Sequence, residues 1–254
     1  MDLGLNGRLA LVTGASKGIG LACAERLAEE GCRLHLVARS ADRLKAESER
    51  LARQSGSNVS YSSLDLGAAS SDSTLFKVVP DPDIVVNNAG AIPSGDLDNV
   101  DEASWRHAWD LKVFGYLNLC RIYLDAMRKR RRGVVINVIG AGGERPRPSY
   151  IAGAGGNAAL MAVTRALGSN SLKDGVRVVG INPGAIVTER LTTMMKQRAS
   201  QELGDPERWR ELLDADHPPG RPEHIADMVA FLASDRSANT TGTIITIDGG
   251  SCAR

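Results

Sequence analysis

The stretch Leu9–Gly20, LALVTGASKGIG, restricts the fold more than any other part of this chain. Leu9, Ala10, Leu11 and Val12 form a continuous apolar run, as a strand buried on both faces of a parallel sheet requires. Glycines follow at Gly14, Gly18 and Gly20, and a helical pattern runs from Leu21 to Glu30. A strand, a glycine turn and a helix in succession aim free backbone N–H groups and a positive dipole end at one spot, which suits a pyrophosphate. The spacing is GxxxGxG rather than GxGxxG. Taken alone, it is also compatible with an unliganded strand–helix connection.

The same alternation continues along the chain. A second strand spans Arg33 to Ala38 and runs into Arg39 and Ser40, with a charged helix to about Gln54. A third covers Asn58 to Ser63 and leaves through Leu64-Asp65-Leu66; a fourth, Asp83 to Val86, is followed by Asn87-Asn88-Ala89-Gly90. Asp101 to Arg132 reads as one long helix ending in five basic residues, and Val134 to Ile139 as the fifth strand. The basic run is either a solvated helix end that offsets the dipole or a dock for an anionic partner. Helical character resumes after Ser149 and reaches about Lys173, and Val176 to Asn182 is a sixth strand that enters Pro183-Gly184-Ala185-Ile186-Val187-Thr188. A helix over Glu223 to Ala233 and a strand over Thr243 to Asp248 complete the pattern. The result is an α/β chain: one domain over 1–254, a doubly wound parallel sheet of about seven strands (a Rossmann fold) with helices on both faces. Residues 189–219 are polar, Met-rich and turn-laden, which suits a mobile substrate lid.

Basic and acidic residues balance, 31 against 30, so no global field points to nucleic acid or to a membrane surface. No apolar run is long enough to span a bilayer and no signal segment precedes the first strand. Cys23, Cys32, Cys120 and Cys252 are scattered, which reads as free thiols in a cytoplasmic protein. The four histidines lack ligand spacing, so no metal is expected.

In a dinucleotide fold the residue just past the second strand meets the adenosine ribose. Arg39 stands there, and Lys17 lies in the glycine turn. Two cations suit a 2′-phosphate, so NADP(H) is expected over NAD(H), unless both are solvated surface charges.

Thr13-Gly14-Ala15-Ser16-Lys17-Gly18-Ile19-Gly20, the Asn-Asn-Ala-Gly tetrad some seventy residues later and Pro183–Thr188 resemble the short-chain dehydrogenase/reductase family along essentially the whole chain. That resemblance implies a cofactor site of Gly14, Ser16, Lys17, Gly18, Ile19, Gly20, Arg39, Ser40, Asp65, Leu66, Asn88, Ala89, Gly90, Pro183, Gly184, Ile186 and Thr188. It also implies a catalytic tetrad of Asn, Ser, Tyr and Lys, in which the Tyr is the acid–base group and Tyr and Lys lie one helical turn apart in YxxxK. In the register set by Ala158–Leu167, the Lys position is Asn157 and the Tyr position Gly153; the Ser position, beyond the strand Val134 to Ile139, is Gly140, and the Asn position, in the family's DxNxxG segment at Asp110–Gly115, is Lys112. All four differ.

Lys and Asn have exchanged places, so Lys112 can bring a cation toward the nicotinamide ribose from the other helix. Tyr150, three residues before Gly153, keeps a phenol nearby. Lys112, Tyr150 and Asn157 are therefore the candidate catalytic residues, against readings of a snorkelling cation, a packing aromatic and a helix cap. Three glycines among residues 153–156 would cost roughly 3 kcal/mol in a helix interior, which predicts that regular helix starts at Asn157. Arg145 and Arg147 are either solvated or a clamp, leaving open an anionic small-molecule substrate. The family resemblance implies a homodimer or homotetramer through the two long helices. The expected function is NADP(H)-dependent oxidoreduction of a carbonyl or alcohol at a rearranged or impaired site. The alternatives are a silent NADP(H)-binding sensor or partner subunit, and a non-redox lyase or hydrolase.

Overall fold

The computed structural model describes residues 1–253. Among them, seven parallel strands form one sheet in the order β3-β2-β1-β4-β5-β6-β7. The strands are β1 Leu9–Thr13, β2 Arg33–Ala38, β3 Val59–Ser63, β4 Ile84–Asn87, β5 Gly133–Val138, β6 Val176–Pro183 and β7 Ile244–Ile247. The chain winds outward from β1 to β3, then crosses back to β4 and winds the other way. The carboxyl ends of β1 and β4 thus flank a topological switch point, where an open α/β sheet leaves a crevice.

The central strands are mostly apolar because both faces are covered. Ala10, Val12, Leu34, Leu36, Ile84, Val86, Val134 and Ile136 face a core shared with α1 (Gly18–Glu29), α2 (Ala41–Ser55) and α8 (Pro222–Ala233). Leu11, Val37, Val85 and Val135 point the other way, to α3 (Ser71–Val78) and α5 (Gly115–Arg130). Each such side chain contributes about 1.5–3 kcal/mol on full burial. A polar chain crosses the second face: Asn87 Nδ2 donates to Asn137 Oδ1 (2.9 Å), and Asn137 Nδ2 donates to Thr164 Oγ1 (2.9 Å) on α6 (Ile151–Gly168).

Three sequence expectations are corrected. The long helix is not regular: α4 (Glu102–Trp109) passes into a π-helical turn at Asp110–Phe114 before α5, so its register shifts around Lys112. Regular helix starts at Ile151 rather than at Asn157, which lies inside α6 and caps nothing. The glycines are tolerated because neighbours use the space. A Cβ at Gly156 would sit 3.1 Å from Val113 Cγ2, and Trp109 Nε1 donates to Ala152 O at 2.9 Å. Residues 189–219 are not mainly turns. They form α7 (Glu189–Leu203) and a 3₁₀ segment, Pro206–Leu212, around a small core of Met195, Ala199 and Trp209. Thr188 caps this helix, and Gly204 closes it in the left-handed region.

The basic run 128–132 is engaged locally: Arg128 with Asp174, Lys129 with Asp125, Arg130 with Asp81, Arg132 with Asp83, and Arg131 with the Lys173 carbonyl. It is a paired helix end. No helix of the described residues is long and apolar enough to cross a membrane.

Gly168 ends α6 against Gly242, and a Cβ there would collide with the Gly242 backbone. Because backbone cannot step aside as a side chain can, Gly168→Ala should lower stability by on the order of 1–3 kcal/mol. A fall in the denaturant midpoint at unchanged slope would register this.

Candidate active site

The residues read as cofactor ligands all follow the carboxyl ends of strands, on one edge of the sheet. Gly14 leaves β1 at φ +66°, and a Cβ on it would lie 2.8 Å from Asn88 Nδ2. At Gly20 a Cβ would collide with the Gly14 carbonyl, so α1 can approach the turn only as glycine. Thr13 Oγ1 accepts from Asn88 N (2.9 Å) and Ala89 N (3.0 Å) and donates to Val86 O (3.2 Å). Asn88 Nδ2 returns a bond to Thr13 O at 2.9 Å. The glycine turn after β1, with Ser16 and Ile19, is thereby bolted to the tetrad after β4.

From the far side, Pro183 ends β6, Gly184 closes on Asp248, and buried Ile186 pairs with Gly220. Thr188 caps α7, and its Cγ2 would be 3.4 Å from a Cβ on Gly18. Leu66 is buried, Asp65 Oδ1 accepts from Gly67 N (3.0 Å), and Arg39 and Ser40 stand exposed past β2. A cradle that no side chain could share, the N-terminus of α1 and cations beside it together fit a phosphorylated dinucleotide.

At the outer end of that cradle, Lys17 Nζ donates to Glu189 Oε2 (2.9 Å), and Arg43 donates to the same oxygen (3.2 Å). These two cations, Lys17 first, hold the Glu189 carboxyl below the usual carboxylate range.

The positions matched to the tetrad converge at the exit of β5. Lys112, in the π turn, runs along Gly90, where a Cβ would lie 2.9 Å from its Cδ, and donates from Nζ to Ile139 O. Next along, Gly140 has φ +140°, and a Cβ on it would be 2.9 Å from Asn157 Nδ2. Asn157 is 2% exposed, and its Oδ1 is buried without a hydrogen-bond partner in the structure. The Tyr150 ring occupies the space a residue-153 side chain would need, since a Cβ on Gly153 would fall inside it. The phenol thus stands over the turn where the family tyrosine would originate. Solvent still reaches part of the Lys112 side chain, yet burial around the ammonium, with Arg190 nearby, pushes its pKa down to about 7.

Arg145 donates from its guanidinium to the Ser251 carbonyl. Sequence reasoning alone missed Arg43, Glu189 and Arg190, which come from helices on either side of the cradle. Arg190 donates to Ile92 O, just beyond the Asn-Asn-Ala-Gly tetrad, and so approaches the cleft from α7. The sequence signal for Glu189 and Arg190 was the Thr188 cap, which places residues 189–190 in the first turn of a helix beside the glycine loop.

Residues 14–251 match the family described as enoyl-(acyl carrier protein) reductase. Galactitol 2-dehydrogenase (L-tagatose-forming) of Cereibacter sphaeroides is 33% identical, covering 97% of this chain and 95% of its own length. The 3-oxoacyl-(acyl-carrier-protein) reductase of Vibrio cholerae is 33% identical, covering 98% of each. Among solved structures, L-sorbose reductase from Gluconobacter frateurii, complexed with NADPH and L-sorbose, superimposes with a TM-score of 0.92 at 30% identity, covering 100% of both chains.

Lys112 should titrate near pH 7 rather than at the ordinary lysine value of about 10.4. Its folded pKa lies below its unfolded one, so between these values the unfolded state binds more protons and stability rises with pH. Lysine side-chain carbon NMR would locate the midpoint, and Lys112→Met should remove both the resonance and that part of the pH dependence.

Proposed function

The chain belongs to the short-chain dehydrogenase/reductase family, and from that premise we propose an NADP(H)-dependent oxidoreductase that interconverts a carbonyl and an alcohol, with Lys112 handling the proton. The observation that carries this is the placement of Lys112: a cation of lowered pKa, laid along Gly90 and anchored on Ile139 O beside Gly140, the position of the family Ser. NADP(H), when bound, supplies or accepts the hydride. Gly14 to Gly20, Asn88 to Gly90 and Thr188 would hold it, and Lys17, Arg39 and Ser40 would receive its 2′-phosphate end, with Asp65 and Leu66 beside the adenine.

Protonated Lys112 can donate to a carbonyl oxygen during reduction, and neutral Lys112 can accept the proton in the reverse direction. Asn157, beside Gly140, carries a buried amide carbonyl with unused accepting capacity. Tyr150 provides a phenol above Gly153 that can orient a polar substrate group. Gly140 cannot orient a carbonyl as a serine would, so turnover of simple ketones should be slow. Residues 189–219 act as the lid, and Arg190 gives the cleft a second cation suited to an anionic small-molecule substrate. The small exposed positions Gly155, Ala158, Ala162 and Ala166 on α6 suit a homodimer or homotetramer, to be checked by light scattering.

NADPH should bind more tightly than NADH, and Arg39→Ala should remove part of the difference. Reduction should weaken as pH rises through about 7, because the acid form of Lys112 is lost. Lys112→Met should flatten that profile and cut turnover by roughly 10²–10⁴, the usual worth of a positioned acid. Robust turnover undiminished in Lys112→Met and Tyr150→Phe would remove both residues from the mechanism. Binding without turnover across a broad carbonyl screen would instead support a sensor or partner subunit. Restoring a tyrosine at 153 needs Tyr150→Ala in the same protein, since the two rings compete for one space.

A further inference from the structure

We propose that Glu189 is a built-in anion that holds the 2′-phosphate subsite closed in the free protein, and that Arg43 is a ligand of that subsite. This rests on the NADP(H) reading above and adds to it a residue of each sign. One Glu189 oxygen receives both the Lys17 ammonium and the Arg43 guanidinium, at 2.9 and 3.2 Å. Lys17 caps α1 at the glycine turn, Arg43 lies in the first turn of α2 just past Arg39, and Glu189 opens α7. Three elements that meet nowhere else in sequence are tied by one carboxylate where two cations converge.

A phosphate dianion and the Glu189 carboxylate compete for those two cations. Like charges a few ångströms apart repel, and each cation already spends a hydrogen bond on Glu189. Capture of a 2′-phosphate therefore displaces Glu189, and Lys17 and Arg43 turn from the carboxylate to the phosphate. All three side chains are half exposed, so the ion pairs are weak enough to exchange and sensitive to salt. NADH carries no group that competes for them.

The displaced residue sits on the lid. α7 also carries Arg190, bonded to Ile92 O, and Met194, whose sulfur accepts from Ser94 Oγ at 3.6 Å. Releasing Glu189 cuts the tie between α7 and the adenosine end and leaves its contacts with the 92–94 segment. Loading of a 2′-phosphorylated cofactor is thus coupled to freedom of the lid before substrate enters.

Calorimetric titration of the whole protein with adenosine 2′,5′-bisphosphate and with adenosine 5′-monophosphate isolates this end of the site from the nicotinamide and from Thr188. Glu189→Gln should tighten the bisphosphate by about five-fold and leave the monophosphate within about two-fold, the scale expected for two exposed ion pairs. Arg43→Ala should weaken the bisphosphate alone by a similar factor. Hydrogen exchange over 189–193 should rise when the bisphosphate binds the unaltered protein, and not when the monophosphate does. Unchanged or weaker bisphosphate binding in Glu189→Gln would overturn the proposal, as would indifference of Arg43→Ala. If the unaltered protein binds the monophosphate as tightly as the bisphosphate, the NADP(H) reading falls with it; a preference that ignores Glu189 overturns the proposal alone.

Discussion

The hydrogen bonds around Thr13 hold the whole cleft in shape. β1 and β4 lie side by side, but their connections diverge to opposite faces of the sheet, and nothing in a parallel ladder joins their exits. The Thr13 hydroxyl does so by accepting two backbone N–H groups from Asn88 and Ala89, and the Asn88 amide answers on Thr13 O. Each bond contributes only about 1 kcal/mol net, yet an unpaired N–H at this depth would cost more than the bond gives. With the exits fixed, the glycine turn keeps a shape that only glycine can line, and Gly90 is placed under Lys112.

Lys112 follows from that placement together with the π turn. In a regular helix a residue shift of this kind would aim the side chain elsewhere; the extra residue per turn lets the stem lie on Gly90 and the ammonium reach Ile139 O. Desolvation then makes the cation easy to deprotonate, a property useful to a group that must exchange a proton near neutrality. Around it, the space beside two glycines is filled by neighbouring side chains. Asn157 covers Gly140, and Tyr150 covers Gly153. The glycines are therefore paired with their neighbours rather than left as holes.

How far the residues spoke for themselves differs between the two ends of the cleft. The glycine turn, the Asn-Asn-Ala-Gly tetrad and Pro183–Thr188 are local devices, each readable because a backbone conformation or a close approach demands one residue type at one place. The continuous apolar runs at Leu9–Val12, Ile84–Val86 and Val134–Ile136 likewise told of strands buried on both faces. Local pattern misleads where propensity and contact disagree. Glycines at 153, 155 and 156 weigh against helix by about 1 kcal/mol each, and the packing of Tyr150 at the first and of Trp109 and Val113 at the other two reverses the balance. The polar, Met-rich composition of 189–203 hid a capped helix with Met195 and Ala199 one turn apart on its buried side.

The order of residues is enough to specify the doubly wound fold and the end of the sheet on which the glycine turn and the Asn-Asn-Ala-Gly segment gather, because both follow from periodicity and from glycine's backbone. Only the folded chain establishes that Lys112 lies along Gly90 and reaches the β5 exit, that Tyr150 fills the place of a side chain at 153, and that Glu189 joins Lys17 to Arg43. Those pairs are 22, 3, 172 and 146 residues apart along the chain, respectively. Their meeting depends on a π turn, a helix start and a cap, and small shifts in any of these redirect a side chain by several ångströms. No local pattern of residues encodes such a coincidence; it exists only once the sheet has brought the strand exits together.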